Sequence, residues 1–465
     1  MKIKFGTDGW RAIIAKEYTV DNVARVAYAT AKWLKSEYAN PSVVMGYDCR
    51  FGGIMFAETA AKVLCDAGVK VNFDPNFAAT PMVSLACVKL KCNAGVVITA
   101  SHNPPTYNGF KLKSHFGGPT IPSEIAKVEA IIPDQVDIPT KSLDEYEAEG
   151  LLVKVNLEKL YFDHVEANFD TELIRRSGLV VAYDAMYGAG RKVVKKLLPD
   201  VIALHCDANP GFNGQAPEPL DRNLQELAEL IKNSTDINFG FANDGDADRI
   251  GVYDELGNFI DSHHVIVLLI YYLIKFKGYS GKAVVSFSVT SRIKKICEHF
   301  GINYEVTKIG FKYICEIMIN EDVLLGAEES GGIAVKGHIP ERDGIWTALL
   351  LLEFMAKTGK KLTELIDEVY EITGPFSFHR DDLHISEALK QEIIANCEAG
   401  KYTSFGQYTV KEAETIDGYK FHLDDDSWVM IRPSGTEPVL RVYSESSSME
   451  KVKSILSATH QALSK

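Results

Sequence analysis

Short apolar runs alternate with amphipathic stretches along almost the whole chain. Residues 42–47, 69–73 and 95–99 read as buried strands, and residues 20–38 and 57–66 between them read as helices. This alternation predicts βαβ units and a mostly parallel sheet. The pattern restarts with strand-like runs at 179–183, 201–204 and 237–242, around helices at 191–198 and 224–232. It restarts again with strands at 283–287, 303–307 and 323–326, helices at 265–276 and 291–300, and a long helical stretch at 345–370. No repeat is visible by residue identity, so the recurrence is architectural. Beyond Gly374-Pro375 the texture changes to Ser/Glu/Lys-rich helices and short strands at 417–423, 427–432 and 440–444, which predicts a small α+β domain. Breaks at the polar, acidic stretch 133–149, at 253–261 and at Gly374-Pro375 divide the chain into four domains: 1–150, 151–256, 257–373 and 374–465.

A length of 465 residues agrees with several domains, since single cores stop growing well below that size. Hydrophobic residues make up 46% and charged residues 24%, an ordinary globular mix. The net charge of −13 argues against broad binding to nucleic acid or anionic membrane, but leaves room for an anionic substrate in a local basic cleft. The longest apolar runs, 265–274 and 348–352, are too short to span a bilayer, and the amino-terminal segment has no signal-peptide core. The eight cysteines are scattered with no C-x-x-C pair, so neither a disulfide framework nor a zinc site is indicated, and reduced thiols in a cytoplasmic protein fit best.

Four runs carry candidate chemistry. The first is Thr99-Ala100-Ser101-His102-Asn103-Pro104-Pro105, directly after an apolar strand. Two prolines force the backbone to turn there, and the turn aims a hydroxyl out of the strand's carboxyl end, where α/β sheets place ligands. Ser101 becomes a candidate nucleophile or phosphate carrier, with His102 as partner or as orienting neighbour. Taken alone, a plain Ser/Asn/Pro turn uses the same residues.

The second run is Asp244-Gly245-Asp246-Ala247-Asp248-Arg249. Three carboxylates at alternating positions repel unless a cation lies among them, and a hard divalent ion such as Mg2+ suits oxygen ligands beside a phosphate. An EF-hand loop would also use Asp244, Asp246, Asp248 and Glu255, but its central Gly is Arg249 here and the flanks read as strands. The short D-x-D of nucleotide-sugar transferases is a further match. The third run, Gly326-Ala-Glu328-Glu329-Ser330-Gly331-Gly332, offers carboxylates and a hydroxyl suited to sugar hydroxyls. The fourth, Arg432-Pro433-Ser434-Gly435-Thr436-Glu437-Pro438, offers a guanidinium fork, two hydroxyls and backbone amides to a phosphate. It lacks the lysine of a Walker loop. Basic groups on other loops, at Arg11, Lys111, Lys312, His338 and Arg342, point the same way. One such loop per domain, in chain order, predicts a single cleft where four domains meet.

Together these runs, with Gly-Thr-Asp-Gly-Trp-Arg at 6–11, resemble the α-D-phosphohexomutase family over the whole chain, most closely its phosphoglucomutase branch. The resemblance implies a heart-shaped arrangement of three related α/β mixed-sheet domains and a carboxyl-terminal α+β domain like the TATA-binding protein. It implies an intramolecular phosphotransferase that interconverts hexose 1- and 6-phosphates, most readily glucose, through a phosphoserine and glucose 1,6-bisphosphate. Ser101 would carry the phosphoryl group and, with Asp244, Asp246 and Asp248, bind Mg2+. His102, Lys111, Arg11 and Arg249 would surround the transferring group, with Lys111 a candidate acid/base. Glu328 and Ser330 would grip the sugar, aided by Gly310, Lys312, His338 and Arg342. Arg432, Ser434, Gly435 and Thr436 would hold the distal phosphate. Some bacterial members carry a His after the sugar loop's Ser-Gly; this chain has Gly332 there, which leaves Lys111 or His338 for proton transfer.

The glucosamine branch usually has Gln where this chain has Glu329, so glucose stands first, mannose or dual specificity second and glucosamine third. A non-catalytic sugar-phosphate sensor would not need Ser101 together with all three aspartates. A glycosyltransferase would need a nucleotide pocket, for which no run is evident.

Overall fold

The computed structural model describes residues 2–6, 8–424, 426–433 and 439–464. Three α/β domains follow one another, and an α+β domain closes the chain. The first sheet has six strands in the order Trp10–Ile13, Tyr107–Ser114, Ala94–Ile98, Ser42–Tyr47, Lys70–Phe73 and Leu152–Lys154. Leu152–Lys154, just past the limit drawn at 150, pairs parallel with Lys70–Phe73. The second sheet runs Phe259–Ile260, Ile250–Tyr253, Ile237–Asn243, Val180–Asp184, Ile202–Leu204. The third runs Tyr304–Thr307, Lys282–Ser286, Val323–Ala327, Ile333–Val335. The fourth is wholly antiparallel, from Ser377–His384 through Val439–Ser446, Trp428–Pro433 and Tyr419–His422 to Glu412–Glu414.

The inner strands of the first three sheets are parallel, as the alternation predicts, but each sheet also carries antiparallel strands, of which the sequence marks only the one flanking the aspartate run. These returns position the candidate loops. Ala94–Ile98 and Tyr107–Ser114 are antiparallel neighbours, and the Ser101 run joins them. The aspartate run joins Ile237–Asn243 to its antiparallel partner Ile250–Tyr253, and the Glu328 run joins Val323–Ala327 to Ile333–Val335. In the last domain, Trp428–Pro433 and Val439–Ser446 are antiparallel neighbours. The first three loops are therefore connections between adjacent antiparallel strands, and none is a crossover to a helix.

The largest apolar core runs through all of the first three domains, from Met82 and Tyr161 to Tyr183, Leu268 and Leu351. A separate core of Val23, Trp33, Leu64 and Phe73 lies on the other face of the first sheet. The last domain has its own core, including Ile393, Phe421 and Ile455, and meets the third through a small cluster of Phe287, Trp428, Met430 and Tyr443. The helical stretch expected over 345–370 is two helices, Gly344–Thr358 and Leu362–Thr373. Gly359 breaks it by taking φ 66, a left-handed conformation that costs glycine little. Among the described residues, no helix is long and apolar enough to cross a membrane.

Candidate active site

The strand Ala94–Ile98 is buried along its length, and the chain leaves it through a hydrogen-bonded turn. Thr99 Oγ1 donates to Asp48 Oδ2 at 2.6 Å and accepts the amide of Ser101 at 2.9 Å. Ser101 has φ 53, a left-handed conformation rare for a residue other than glycine. The strain directs its side chain inward: Ser101 is 1% exposed, and its Oγ donates to Asp244 Oδ2 at 2.8 Å and lies 3.2 Å from His102 Nδ1. Burial first, then the cations Arg249, Arg11, Lys111 and Arg50, hold the His102 imidazole well below its usual range. It is neutral near pH 7.

Asp244, Asp246 and Asp248 are each fully buried, and one oxygen from each falls within 4.8 Å of the others. Gly245 makes this approach possible, because a Cβ there would stand 2.6 Å from the Ser101 carbonyl oxygen. The helix Thr80–Lys89 of the first domain fastens the loop. Thr80 donates through its amide to the Asp246 carbonyl at 2.9 Å and through Oγ1 to Asp246 Oδ2 at 2.5 Å. Burial and the like charges of Asp248 and Asp246 push Asp244 well above the usual carboxylate range. Burial pushes Asp246 up too, but the Lys111 ammonium outweighs it and holds that carboxyl low.

Three oxygen ligands, gathered and dehydrated, suit a hard divalent cation. Oδ1 of Asp246 and Oδ1 of Asp248 are buried without a partner among the described residues, an expensive state that a bound ion relieves. The donor set fits Mg2+.

Lys111 enters from the strand Tyr107–Ser114. Its Nζ lies 2.8 Å from Asp246, 3.2 Å from Asp248 and 2.9 Å from Asp8. Burial opposes the charge, but the three carboxylates prevail and raise Lys111 above its ordinary value. Arg342, from the third domain, reaches the same carboxylates: Asp8 at 2.5 Å and Asp248 at 2.8 Å, with Glu328 at 3.8 Å. Arg11 donates to Asn103 Oδ1 at 2.7 Å on the serine turn. The Arg249 amide donates to Asp244 Oδ1 at 3.1 Å, and its guanidinium lies between Glu218 and Asp248.

Glu328 is buried at the end of its strand, and its Oε1 accepts the amide of Gly310 at 2.9 Å. Burial raises its carboxyl against the pull of Arg342 and Arg249. Ser330 is half-buried on the same loop. At Gly332 a Cβ would stand 2.4 Å from Arg342 Cδ, so the absence of a side chain there is what lets the Arg342 stem lie across the loop. Lys312 lines a cavity of about 170 Å3 together with Asp8 and Gly9. Arg432 Nε and a terminal nitrogen lie 3.2 and 3.3 Å from the two Asp417 oxygens, and the Ile309 amide donates to the same carboxylate at 2.9 Å. The line Arg432–Asp417–Ile309/Gly310–Glu328–Arg342–Asp248 thus connects the last domain to the aspartate loop. Ser434, Gly435 and Thr436 lie outside the described residues.

The structure does not bring His338 to this cluster. Its ring stacks on Trp346 at 3.8 Å, and its nitrogens meet Asp343 at 2.9 Å and His164 at 3.2 Å. With both nitrogens committed and the side chain 1% exposed, it braces the helices Leu157–Asn168 and Gly344–Thr358. Its place on a basic loop made it look available; packing against Trp346 decides otherwise.

Several residues at the cluster escape sequence reasoning. Asp8 pairs with Lys111 and Arg342, although its glycine-rich run reads only as a carrier of Arg11. Thr80 carries no signal at all. Nor does Arg380 of the last domain, which holds Glu329 at 3.1 Å. Arg50 gathers the carbonyls of the serine turn, and its one available signal is the Asp-Cys-Arg that follows a predicted strand.

Known proteins are similar to this chain over its whole length. The family models for phosphoglucomutase/phosphomannomutase match in order: α/β/α domain I at residues 2–137, domain II at 159–257, domain III at 261–372 and the C-terminal domain at 387–461. A phosphoglucomutase/phosphomannomutase of Thermococcus kodakarensis is 31% identical, covering 97% of this chain and 96% of its own. A phosphoglucosamine mutase of Desulforamulus reducens is 30% identical, covering 97% of each. A solved structure from Thermus thermophilus, described as a putative phosphomannomutase, superposes with a TM-score of 0.88 at 33% identity over 100% of both chains.

Proposed function

The chain belongs to the phosphoglucomutase/phosphomannomutase family, and on that footing we propose that it interconverts hexose 1-phosphates and hexose 6-phosphates, with α-D-glucose the preferred sugar. Membership makes it an intramolecular phosphotransferase. In the proposed cycle a phosphoryl group on Ser101 passes to the free hydroxyl of the sugar phosphate. The sugar oxygen bonds phosphorus as the Oγ–P bond breaks, giving the 1,6-bisphosphate. Ser101 Oγ then takes the other phosphoryl group and regenerates the phosphoenzyme. The observation that carries this reading is the 2.8 Å contact of Ser101 Oγ with Asp244, which sets the hydroxyl at the buried aspartates.

Asp244, Asp246 and Asp248 would hold Mg2+, which when bound neutralises charge on the phosphoryl oxygens. Lys111, Arg11 and Arg249 add fixed positive charge around the group in transit. His102, with Nδ1 3.2 Å from Oγ, and Lys111 are the two candidates for moving the proton. Glu328, Ser330, Gly310, Lys312 and Arg342 would engage the sugar and its phosphate. Arg432, with Ser434, Gly435 and Thr436, would hold the phosphate that is not reacting.

The Glu328-Glu329-Ser330 form of the sugar loop supports glucose. The phosphoglucosamine mutase relative supports a second reading, glucosamine phosphates. The test is to assay glucose, mannose and glucosamine 1-phosphates side by side, with Mg2+ and catalytic bisphosphate. The highest kcat/KM for glucose is expected. A higher value for glucosamine replaces the sugar assignment, and turnover of none of the three refutes the mutase reading.

A further inference from the structure

Arg50 lies behind the serine turn and not in the cleft. It is 3% exposed, yet its guanidinium makes a full set of contacts. One terminal nitrogen donates to the carbonyls of Ser101 at 2.5 Å and Asn103 at 2.6 Å. The other donates to those of Pro104 at 2.9 Å and Tyr107 at 3.1 Å, and Nε donates to Asp48 Oδ2 at 3.2 Å. Five N–H groups thus meet five acceptors, four of them carbonyls of a single turn.

Asp48 completes the arrangement. Its Oδ1 accepts the Arg50 amide at 2.9 Å, and its Oδ2 accepts Thr99 Oγ1, which in turn accepts the Ser101 amide. Both backbone polar groups of Ser101 are therefore held by the Asp48–Arg50 pair, the carbonyl directly and the amide through Thr99. Ser101 needs this, because φ 53 is costly for a residue with a Cβ and persists only when the surroundings over-determine it. From the second domain, the Phe212 ring covers Arg50 with its centroid 4.9 Å from Cζ, and Phe212 is itself at φ 46.

We propose that Arg50 is a positioning residue for phosphoryl transfer: it holds the Ser101 turn in the strained conformation that aims Oγ at the aspartate loop, and Phe212 seats it from the second domain. The proposal rests on the reading of Ser101 as the phosphoryl carrier. Lysine cannot substitute, since an ammonium offers three donors from one point and cannot reach four divergent carbonyls.

The experiment uses full-length Arg50→Lys, Arg50→Ala and Phe212→Ala with glucose 1-phosphate, glucose 1,6-bisphosphate and Mg2+. Melting temperature and folded fraction are measured alongside. Misplacing a reacting atom by about 1 Å costs on the order of 100-fold, so kcat of Arg50→Lys is expected to fall about that far. KM should stay within about threefold, because Arg50 does not face substrate. Phe212→Ala should show a smaller loss of the same kind. Millimolar guanidinium ion should restore part of kcat to Arg50→Ala without altering KM, a response that a purely structural role does not give.

If Arg50→Ala fails to fold, Arg50→Lys still decides the matter. A kcat per folded molecule within about twofold of the parent, or a loss borne by KM, overturns the proposal. Ser101→Ala is run beside them: turnover persisting there refutes the serine reading itself, which is a different failure.

Discussion

Ser101 Oγ donates to Asp244 Oδ2 at 2.8 Å, across 143 residues of sequence and between two domains. The contact sets the proposed carrier on the proposed metal site. Ser101→Ala is therefore expected to reduce mutase turnover to the assay background. Loss of one hydrogen bond to a charged group should cost only about 1.5–3 kcal/mol of stability, since Asp244 Oδ1 keeps the Arg249 amide. Steady-state turnover together with a melting curve checks both halves. Near-normal turnover would sink the carrier role.

Removing divalent metal with chelator should stop the reaction, and Mg2+ should restore it better than Ca2+, because the smaller ion imposes tighter geometry. Lys111→Met provides a test independent of turnover. It leaves Asp8, Asp246 and Asp248 without the ammonium they share, a loss of about 3–5 kcal/mol for a buried pair. Mg2+ should then raise the melting temperature of the variant more than that of the parent. No shift with Mg2+ in either protein would mean that these aspartates do not take the ion.

Arg432→Lys should raise KM for glucose 1-phosphate roughly tenfold to a hundredfold, the worth of a charge-assisted fork that lysine cannot reproduce. Added bisphosphate should partly rescue turnover, because the intermediate escapes more often. The pair with Asp417 is partly exposed, so its loss should cost under about 1 kcal/mol of stability. An unchanged KM would remove the last domain from the site.

Lys420 is buried against Trp428, its Nζ 4.3 Å from the ring centroid, and burial lowers its ammonium from 10.5 to about 8. In the unfolded chain the group titrates near 10.5, so the charge is a burden on the folded state below pH 8. That burden fades as pH rises from about 8 to 10.5. Lys420→Met should therefore be the more stable protein at pH 7, by up to roughly 3 kcal/mol less what the aromatic face returns. The gain should shrink above pH 8. Chemical denaturation at pH 7, 9 and 10.5 tests this, and a gain that grows with pH would contradict it.

Local sequence determined most of the four-domain plan, the inner strands and the place of the Ser101, Asp244 and Glu328 runs at strand ends, because these depend on short-range periodicity and turn chemistry. Apolar runs mark the buried parallel strands, and prolines, glycines and alternating aspartates mark where the chain must turn or gather charge. One antiparallel return stayed hidden: Tyr107–Ser114 carries Lys111 and Lys113 and does not look like a buried strand. Its lysines are fully buried because Asp8, Asp246, Asp248 and Glu341 arrive from elsewhere in the chain to pair with them. The same holds for the partners that finish the site. Asp8, Arg50 and Asp417 have meaning only once a distant carbonyl or charge lies against them, and His338 lost its apparent availability to the Trp346 ring. Whether a polar side chain faces the cleft or serves packing depends on what is brought to it from far along the chain, and only the tertiary structure decides that.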